Sequence, residues 1–566
     1  MNNISNKNLI IISLILHLLA AYFVTGWYHA DEQSCILEYV NFKLGFSSNP
    51  CFLNFNQENY IVSGIKFRSW FQPSVYYILA NILNFLSIND PFTYTFVYRL
   101  FSSIIGFYSV HFFYNKTNLL FHHPIVKKIY FFLIYFFWFN FLFHTRTSAE
   151  NFSTSFFLIA LALIISNLRN NNLKLFFSIG MIFGLSFVFR YNIGVAIFFV
   201  CLWFLFFNQQ KLLRKINLLF LLSVGVFLIF AIEQIINIWG FYNPSNFLNP
   251  NLNIINFLFE NLTALNFLKF GSQNDFYSNG IWAISPLYHY FELILLEFFP
   301  PLSIIIIICI LYFWIKNPKD IITWATLPYF IIHSFIAYKE LRYIFPVLAM
   351  SPYFIAYTFD NFNYLLKNIR LSKNIITIFF ILNMFGIIYF TFFSLRPELH
   401  VLKNIYYNED IKKILILNTE ENIDKGNSIN PFNIENITQN YYFNFKNFLL
   451  YNNNEIIYSG LCSSGTCINI EQNNIYNDNS IYYDLIIDNN NLEKNKIKLS
   501  LKLIDDVSDI IFNNVDYLLT VDNEIINKID KNHNCKVISN EYPLWISKIS
   551  FNDINKRSKN LVLFKC

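Results

Sequence analysis

Residues 9–32 read LIIISLILHLLAAYFVTGWYHADE, and the fold turns on that stretch. From Leu9 to Trp27 there is no Asp, Glu, Lys or Arg. A bilayer core of about 30 Å takes about 20 mainly apolar residues in a helix, so 9–27 has the length of a membrane crossing. No A-x-A-like exit follows it. The run passes straight into the polar Trp27-Tyr-His-Ala-Asp-Glu, which reads as a retained span and not a cleaved leader.

The same pattern recurs down the chain. Further crossings are expected at 94–114, 127–143, 151–167, 174–190, 192–208, 216–235, 291–314, 321–337, 343–360 and 374–394. Composition agrees, with 55% hydrophobic and only 14% charged residues, against about 25% charged in soluble domains. Mean hydropathy is +0.38. The net charge of +5 is small and requires no nucleic-acid partner. The 68 Phe residues fit an AT-rich genome and say little about function.

The stretch 71–88 is marginal as a span. Pro73 and polar flanks suit an interfacial or re-entrant helix. If it does not cross, every basic short loop falls on one side: Lys7; Lys116, Lys127 and Lys128; Arg169 and Lys174; Lys211, Arg214 and Lys215; Lys316 and Lys319; Lys367, Arg370 and Lys373. Such loops are cytoplasmic. The expectation is therefore an all-α polytopic membrane protein with about 11 crossings, N-terminus cytoplasmic, and 12 if a further span is counted. From residue 395 to 566 no run is long enough to span. The β-like stretches KKILIL, YYDLII, IKLSLKLI, VDYLLTV and NLVLF predict a small α/β domain on the non-cytoplasmic side, after a transmembrane domain over 1–394.

Cys201 and Cys309 fall within spans and read as packing residues. Cys35, Cys51, Cys462, Cys467, Cys535 and Cys566 fall on the outer side, where disulfides can form.

Charged groups gather at helix ends on that outer side. His29-Ala-Asp31-Glu32 follows the first span. Adjacent acids there can supply a general base or hold a metal, and Asp equally serves as a helix cap. Arg68-Ser-Trp70-Phe-Gln72-Pro73 can grip a lipid phosphate or anchor the interface. His144-Thr-Arg146-Thr-Ser-Ala-Glu150 and Arg190 lie on the same side. So does His333-Ser-Phe-Ile-Ala-Tyr338-Lys339-Glu340-Leu-Arg342. If helical, Lys339 and Arg342 share a face and favour a bound phosphate. The alternative is an internal ion pair of Glu340 with Arg342.

Taken in order, these elements resemble the polyprenol-phosphate-mannose-dependent α-mannosyltransferases that build GPI anchors and N-glycan precursors, glycosyltransferase family 22 of the GT-C fold. The H-x-D-E element is matched by His29 to Glu32, and R-S-W-x-x-P by Arg68 to Pro73. Arg146-Thr-Ser148-Ala-Glu150 echoes a third element. Gly184-Leu-Ser-Phe-Val-Phe-Arg190 and Asn266-Phe-Leu-Lys-Phe270 match two more, and Phe276–Trp282 resembles the next. The H-S-x-x-x-H-K-E-x-R-F-x-x-P element is matched by His333 through Pro346. Ala30 replaces the usual Pro, and Tyr338 replaces the His before Lys-Glu.

The resemblance implies an inverting transfer with Asp31 as general base and Glu32 as its helper. Lys339 and Arg342, with Arg68, would face the departing phosphate. His29, Trp70, Gln72, Glu150, Arg190, His333 and Glu340 would bind substrate. It implies a polyprenyl-phosphate-sugar donor, a glycan or glycolipid acceptor, a lipid bilayer, no cofactor and no metal. A GT-C enzyme moving another sugar would also need Asp31. A transporter or flippase would instead show broken half-helices and an inverted repeat, and the sequence shows neither.

Overall fold

The computed structural model describes residues 6–29, 32, 36–44, 69–88, 90–168, 172–241, 285–298, 300–361, 369–395 and 398–408, and the strands that lie between 413 and 565. By its internal contacts the chain forms two compact units. The first comprises Met1–Val24, Ile65–Val75 and Val97–Phe393. The second comprises Thr25–Gly64, Tyr76–Phe96 and Ser394–Cys566.

The helices follow the apolar runs. They are α1 (Asn6–Phe23), α2 (Glu38–Lys43), α3 (Phe71–Phe85), α4 (Pro91–Thr117), α5 (Pro124–Phe136), α6 (Trp138–His144), α7 (Ala149–Ser166) and α8 (Leu173–Phe189). Then come α9 (Gly194–Phe207), α10 (Leu212–Phe241), α11 (His289–Glu297), α12 (Leu302–Lys316), α13 (Ile321–Phe335), α14 (Phe345–Leu348), α15 (Ser351–Asn361), α16 (Ile369–Phe392) and α17 (Glu398–Tyr407). Among the described residues five helical stretches are long and apolar enough to cross a membrane: α1, α4, the α5–α6 run, α7 and α10. The helices α12 and α13 pass that test only as a pair, bent by 118°. Apolar side chains such as Phe220, Phe227 and Ile235 of α10 stand exposed, which suits lipid and not water.

Three expected spans are not continuous helices. The run 291–314 breaks between α11 and α12, where Pro300 and Pro301 interrupt it. The run 343–360 begins as a 3₁₀ turn, Leu341–Ile344, and continues as α14 and α15. The break in 127–143 has no Pro or Gly behind it. Phe137 is extended, with φ −77° and ψ 121°, and separates α5 from α6. A break among apolar side chains frees backbone groups that must find partners. Asn383 of α16 provides them. Its Oδ1 accepts from the Trp138 N–H at 3.0 Å, and its Nδ2 donates to Phe136 O at 2.5 Å. Asn140 Nδ2 donates to Ile134 O at 2.9 Å. The stretch 71–88 is helical from Phe71, with Pro73 in the first turn, where it is tolerated.

Close helix packing comes from glycine. A Cβ on Gly180 of α8 would stand 2.0 Å from the Leu222 carbonyl oxygen of α10. One on Gly225 would stand 2.4 Å from Phe177 O. Gly184 meets Val226 and Ile229 one turn further along. Small residues at this spacing let two backbones approach without the help of a hydrophobic effect.

The second unit carries an eight-stranded sheet of β1 (Lys413–Thr419), β2 (Leu449–Asn452), β3 (Glu455–Tyr458), β4 (Tyr483–Ile487), β5 (Ile497–Ile504), β6 (Tyr517–Thr520), β7 (Lys536–Asn540) and β8 (Val562–Lys565). The strand order is β3-β2-β4-β5-β1-β6-β8-β7. Strand β1 runs parallel to β5 and β6, and the remaining pairs are antiparallel. The five β-like stretches of the sequence coincide with β1, β4, β5, β6 and β8. Asn404 of α17 donates to Ser539 Oγ of β7 at 2.8 Å. Cys535 is disulfide-bonded, and Cys201 and Cys309 are free.

Two substitutions test this packing. Asn383→Leu orphans the Trp138 N–H and the Phe136 carbonyl, and is expected to lower unfolding stability in detergent by about 1–3 kcal/mol. Gly180→Val should cost a similar ~1–3 kcal/mol by forcing α8 from α10. Thermal unfolding of purified protein reads both.

Candidate active site

The turn between α6 and α7 is the centre of the site. Arg146, almost fully buried, donates from Nη2 to Val24 O at 2.9 Å and so closes the end of α1. Ser148 caps α7, its Oγ accepting from Asn151 N at 3.2 Å. Asn151 Nδ2 donates to the carbonyls of His144 and Arg146, at 3.0 and 2.9 Å. These bonds fix the turn and put Glu150 in the first turn of α7, where a carboxylate gains from the helix dipole.

Glu150 joins two guanidinium groups. Its Oε1 lies 3.2 Å from Arg190 Nε and 3.5 Å from Arg342 Nη1. Arg342 Nε also donates to Glu340 Oε2, and Tyr338 OH donates to Glu340 Oε1 at 2.6 Å. Burial, with the Glu340 carboxylate beside it, pushes the Tyr338 phenol up, so it stays a donor. The Tyr343 ring takes both cations on its face, Arg190 at 5.6 Å and Arg342 at 5.2 Å. Tyr329 OH donates to Tyr343 O at 2.7 Å. His333 Nδ1 donates to Tyr329 O at 2.9 Å, which leaves buried His333 Nε2 as an acceptor with no hydrogen-bond partner among the described residues. Two carboxylates and two guanidinium groups balance, so the cluster is neutral and preorganised.

Lys339 behaves differently from the expectation. The chain at 339–340 is extended, with Glu340 at φ −133° and ψ 143°, and only then enters the 3₁₀ turn. Lys339 and Arg342 therefore do not share a helical face. Lys339 Nζ donates to Ser285 O at 2.8 Å and Ile336 O at 2.7 Å, and burial draws its pKa down.

Gln72 reaches the same turn from another segment, and Trp70, two residues before it, packs against α10. Trp70 N donates to Asn237 Oδ1 at 2.8 Å, and its indole lies on Gly240. Gln72 Nε2 donates to Thr147 O at 2.7 Å.

The second unit holds His29 and Glu32. Gly26 turns the chain with φ 92°, a conformation that favours glycine. Buried Glu32 accepts at Oε1 from Tyr28 N at 3.0 Å and His29 N at 3.3 Å. The carboxylate thus takes up both amides of the Tyr28–His29 segment. Asp31 and Arg68 lie outside the described residues, as do Asn266–Phe270 and Phe276–Trp282.

The model of the Alg9-like mannosyltransferase family matches residues 9–443. The chain belongs to that family. The match takes in every element on which the resemblance rested. No curated protein sequence matches this family member. Among solved structures it is similar to ArnT from Cupriavidus metallidurans bound to undecaprenyl phosphate, at 10% identity and a TM-score of 0.40. That similarity covers 62% of this chain, and the chain spans 60% of the other.

Sequence reading missed Tyr329, Tyr343, Asn237 and Glu233, all of which contact the cluster or its supports. For Glu233 a signal was present, since an acid inside the expected span 216–235 is costly and is kept for a reason. The aromatic residues gave none, in a chain that is 20% aromatic.

Removing the Glu150 side chain takes from Arg190 and Arg342 the carboxylate they share, and Arg342 keeps only Glu340. Glu150→Ala is expected to lower stability by about 3–5 kcal/mol. The double change Glu340→Leu with Arg342→Met should be milder than Arg342→Met alone, because no buried charge is left over. Chemical unfolding in detergent separates these outcomes.

Proposed function

We propose that the chain transfers mannose from a polyprenyl (dolichyl) phosphate mannose donor to a glycan or glycolipid acceptor, with inversion, forming an α-mannoside. Membership of a mannosyltransferase family carries this reading. The pairing of Glu150 with Arg190 and Arg342 supports it chemically, because it preorganises guanidinium groups for a departing phosphate.

In this account Asp31 takes the proton of an acceptor hydroxyl as its oxygen bonds to the anomeric carbon. The bond from that carbon to the phosphate oxygen breaks, and the electron pair leaves with the polyprenyl phosphate. Glu32 holds the turn beside Asp31 through the Tyr28 and His29 amides. Arg342, Lys339 and Arg68 face the phosphate. His333 Nε2, an acceptor, takes a hydrogen bond from a sugar hydroxyl. Glu150, Arg190, Glu340, Trp70 and Gln72 shape the site.

The same reading has about 11 crossings, a transmembrane catalytic domain over 1–394 and a domain over 395–566 on the non-cytoplasmic side. The disulfide at Cys535 supports that side, since cytosolic thiols are kept reduced. In this reading the protein lies in the endoplasmic reticulum membrane of a eukaryote with its active site on the lumenal side, or in the inner membrane of a bacterium with its active site facing the periplasm.

Membranes carrying the protein, given labelled polyprenyl-phosphate-mannose, should incorporate label into a lipid or glycan. Asp31→Asn should lower that by about 10²–10⁴-fold at equal expression. Undiminished transfer by Asp31→Asn removes the base assignment. Transfer from a different lipid-phosphate sugar, with none from the mannose donor, reassigns the donor.

A further inference from the structure

Glu233 is the acid that the mechanism above does not use. It is fully buried within α10, the most apolar of the long helices, and it collects donors. Tyr191 OH donates to its Oε1. Asn237 Nδ2 donates to the same oxygen at 3.3 Å, and Gln234 Nε2 reaches Oε2 at 3.5 Å.

A carboxylate accepts and does not donate. It therefore dictates how Asn237 is oriented. With Nδ2 turned to Glu233, Asn237 presents Oδ1 to the Trp70 N–H, at 2.8 Å. A flipped amide would set an NH2 group against that N–H. Gly240, one turn on, leaves room for the Trp70 indole, where a Cβ would stand 2.1 Å from Trp70 Cγ.

Two arms leave Glu233 and meet again. One runs through Tyr191 to its neighbour Arg190, whose Nε lies 3.2 Å from Glu150 Oε1. The other runs through Asn237 and Trp70 to Gln72, whose Nε2 donates to Thr147 O at 2.7 Å. Thr147 and Glu150 belong to the same turn.

We infer that Glu233 is a positioning residue: its carboxylate orients Tyr191 and Asn237, and through them it sets Arg190 and Gln72 on the 144–150 turn. Its effect on catalysis rests on the transfer reading given above; its effect on geometry does not.

The test uses the full-length protein in detergent, as wild type, Glu233→Gln, Glu233→Asp and Tyr191→Phe. Amide hydrogen exchange is read in peptides containing Trp70 and residues 190–193, with peptides from α12 and α16 as controls. In Glu233→Gln the Trp70 and 190–193 amides should exchange at least tenfold faster, with the controls unchanged. Transfer should fall about tenfold in kcat with KM within twofold, and Glu233→Asp should recover most of it. Tyr191→Phe combined with Glu233→Gln should be no worse than the poorer single variant. Wild-type exchange at Trp70 in Glu233→Gln overturns the inference, as does faster exchange in the controls to the same degree. A wild type that transfers no mannose removes the proposed function, while the exchange data still decide the role of Glu233.

Discussion

A buried charge must be matched where water is absent, and the first unit is organised around that requirement. Glu150, at the start of α7, is matched by Arg190 from the end of α8 and Arg342 from the turn before α14. These residues come from distant parts of the sequence. Their pairing is what makes three helix ends converge. Each partner is then held by a second bond or ring: Arg342 by Glu340, and both guanidinium groups by the face of Tyr343. An isolated buried ion would cost several kcal/mol. The network avoids that cost, and in the proposed reading its guanidinium groups face the departing phosphate.

Backbone groups obey the same rule. Where α5 gives way to α6 at Phe137, the freed amide and carbonyl are taken up by one asparagine from α16. At the turn after α6, Asn151 collects the carbonyls of His144 and Arg146. In each place a single amide side chain replaces the water that a soluble protein would use. Asn237 does the same for Trp70. Asparagine is abundant in this chain for compositional reasons, yet at these three buried positions it has specific bonds to make.

Much of this was legible in the sequence. The period and length of the apolar runs marked where helical segments lie, although three of the expected runs are interrupted and five stretches among the described residues are long and apolar enough to cross. The order of the short motifs pointed to the family, and the β-like stretches fell on strands. The break at Phe137 was not legible, since the aromatic residues around it carry no helix-breaking signal and the side chain that satisfies its freed backbone groups lies on α16, some 245 residues away. The assumption that Lys339 and Arg342 share a helical face failed for a related reason. Local spacing favoured a helix, while Lys339 is drawn to the Ser285 carbonyl and the chain is extended at Glu340. Strands β2, β3 and β7 lie in polar, Asn-rich sequence that alternates too weakly to stand out.

The central claim is that the charges around Glu150 serve a lipid-linked phosphate. An experimental structure of the protein with polyprenyl phosphate bound tests it most directly. The account predicts phosphate oxygens within about 3 Å of the Arg342 guanidinium or the Lys339 ammonium, with Glu150 still paired to Arg190. A phosphate bound instead against the basic loop at 208–215, with the Glu150 cluster unoccupied, would contradict it.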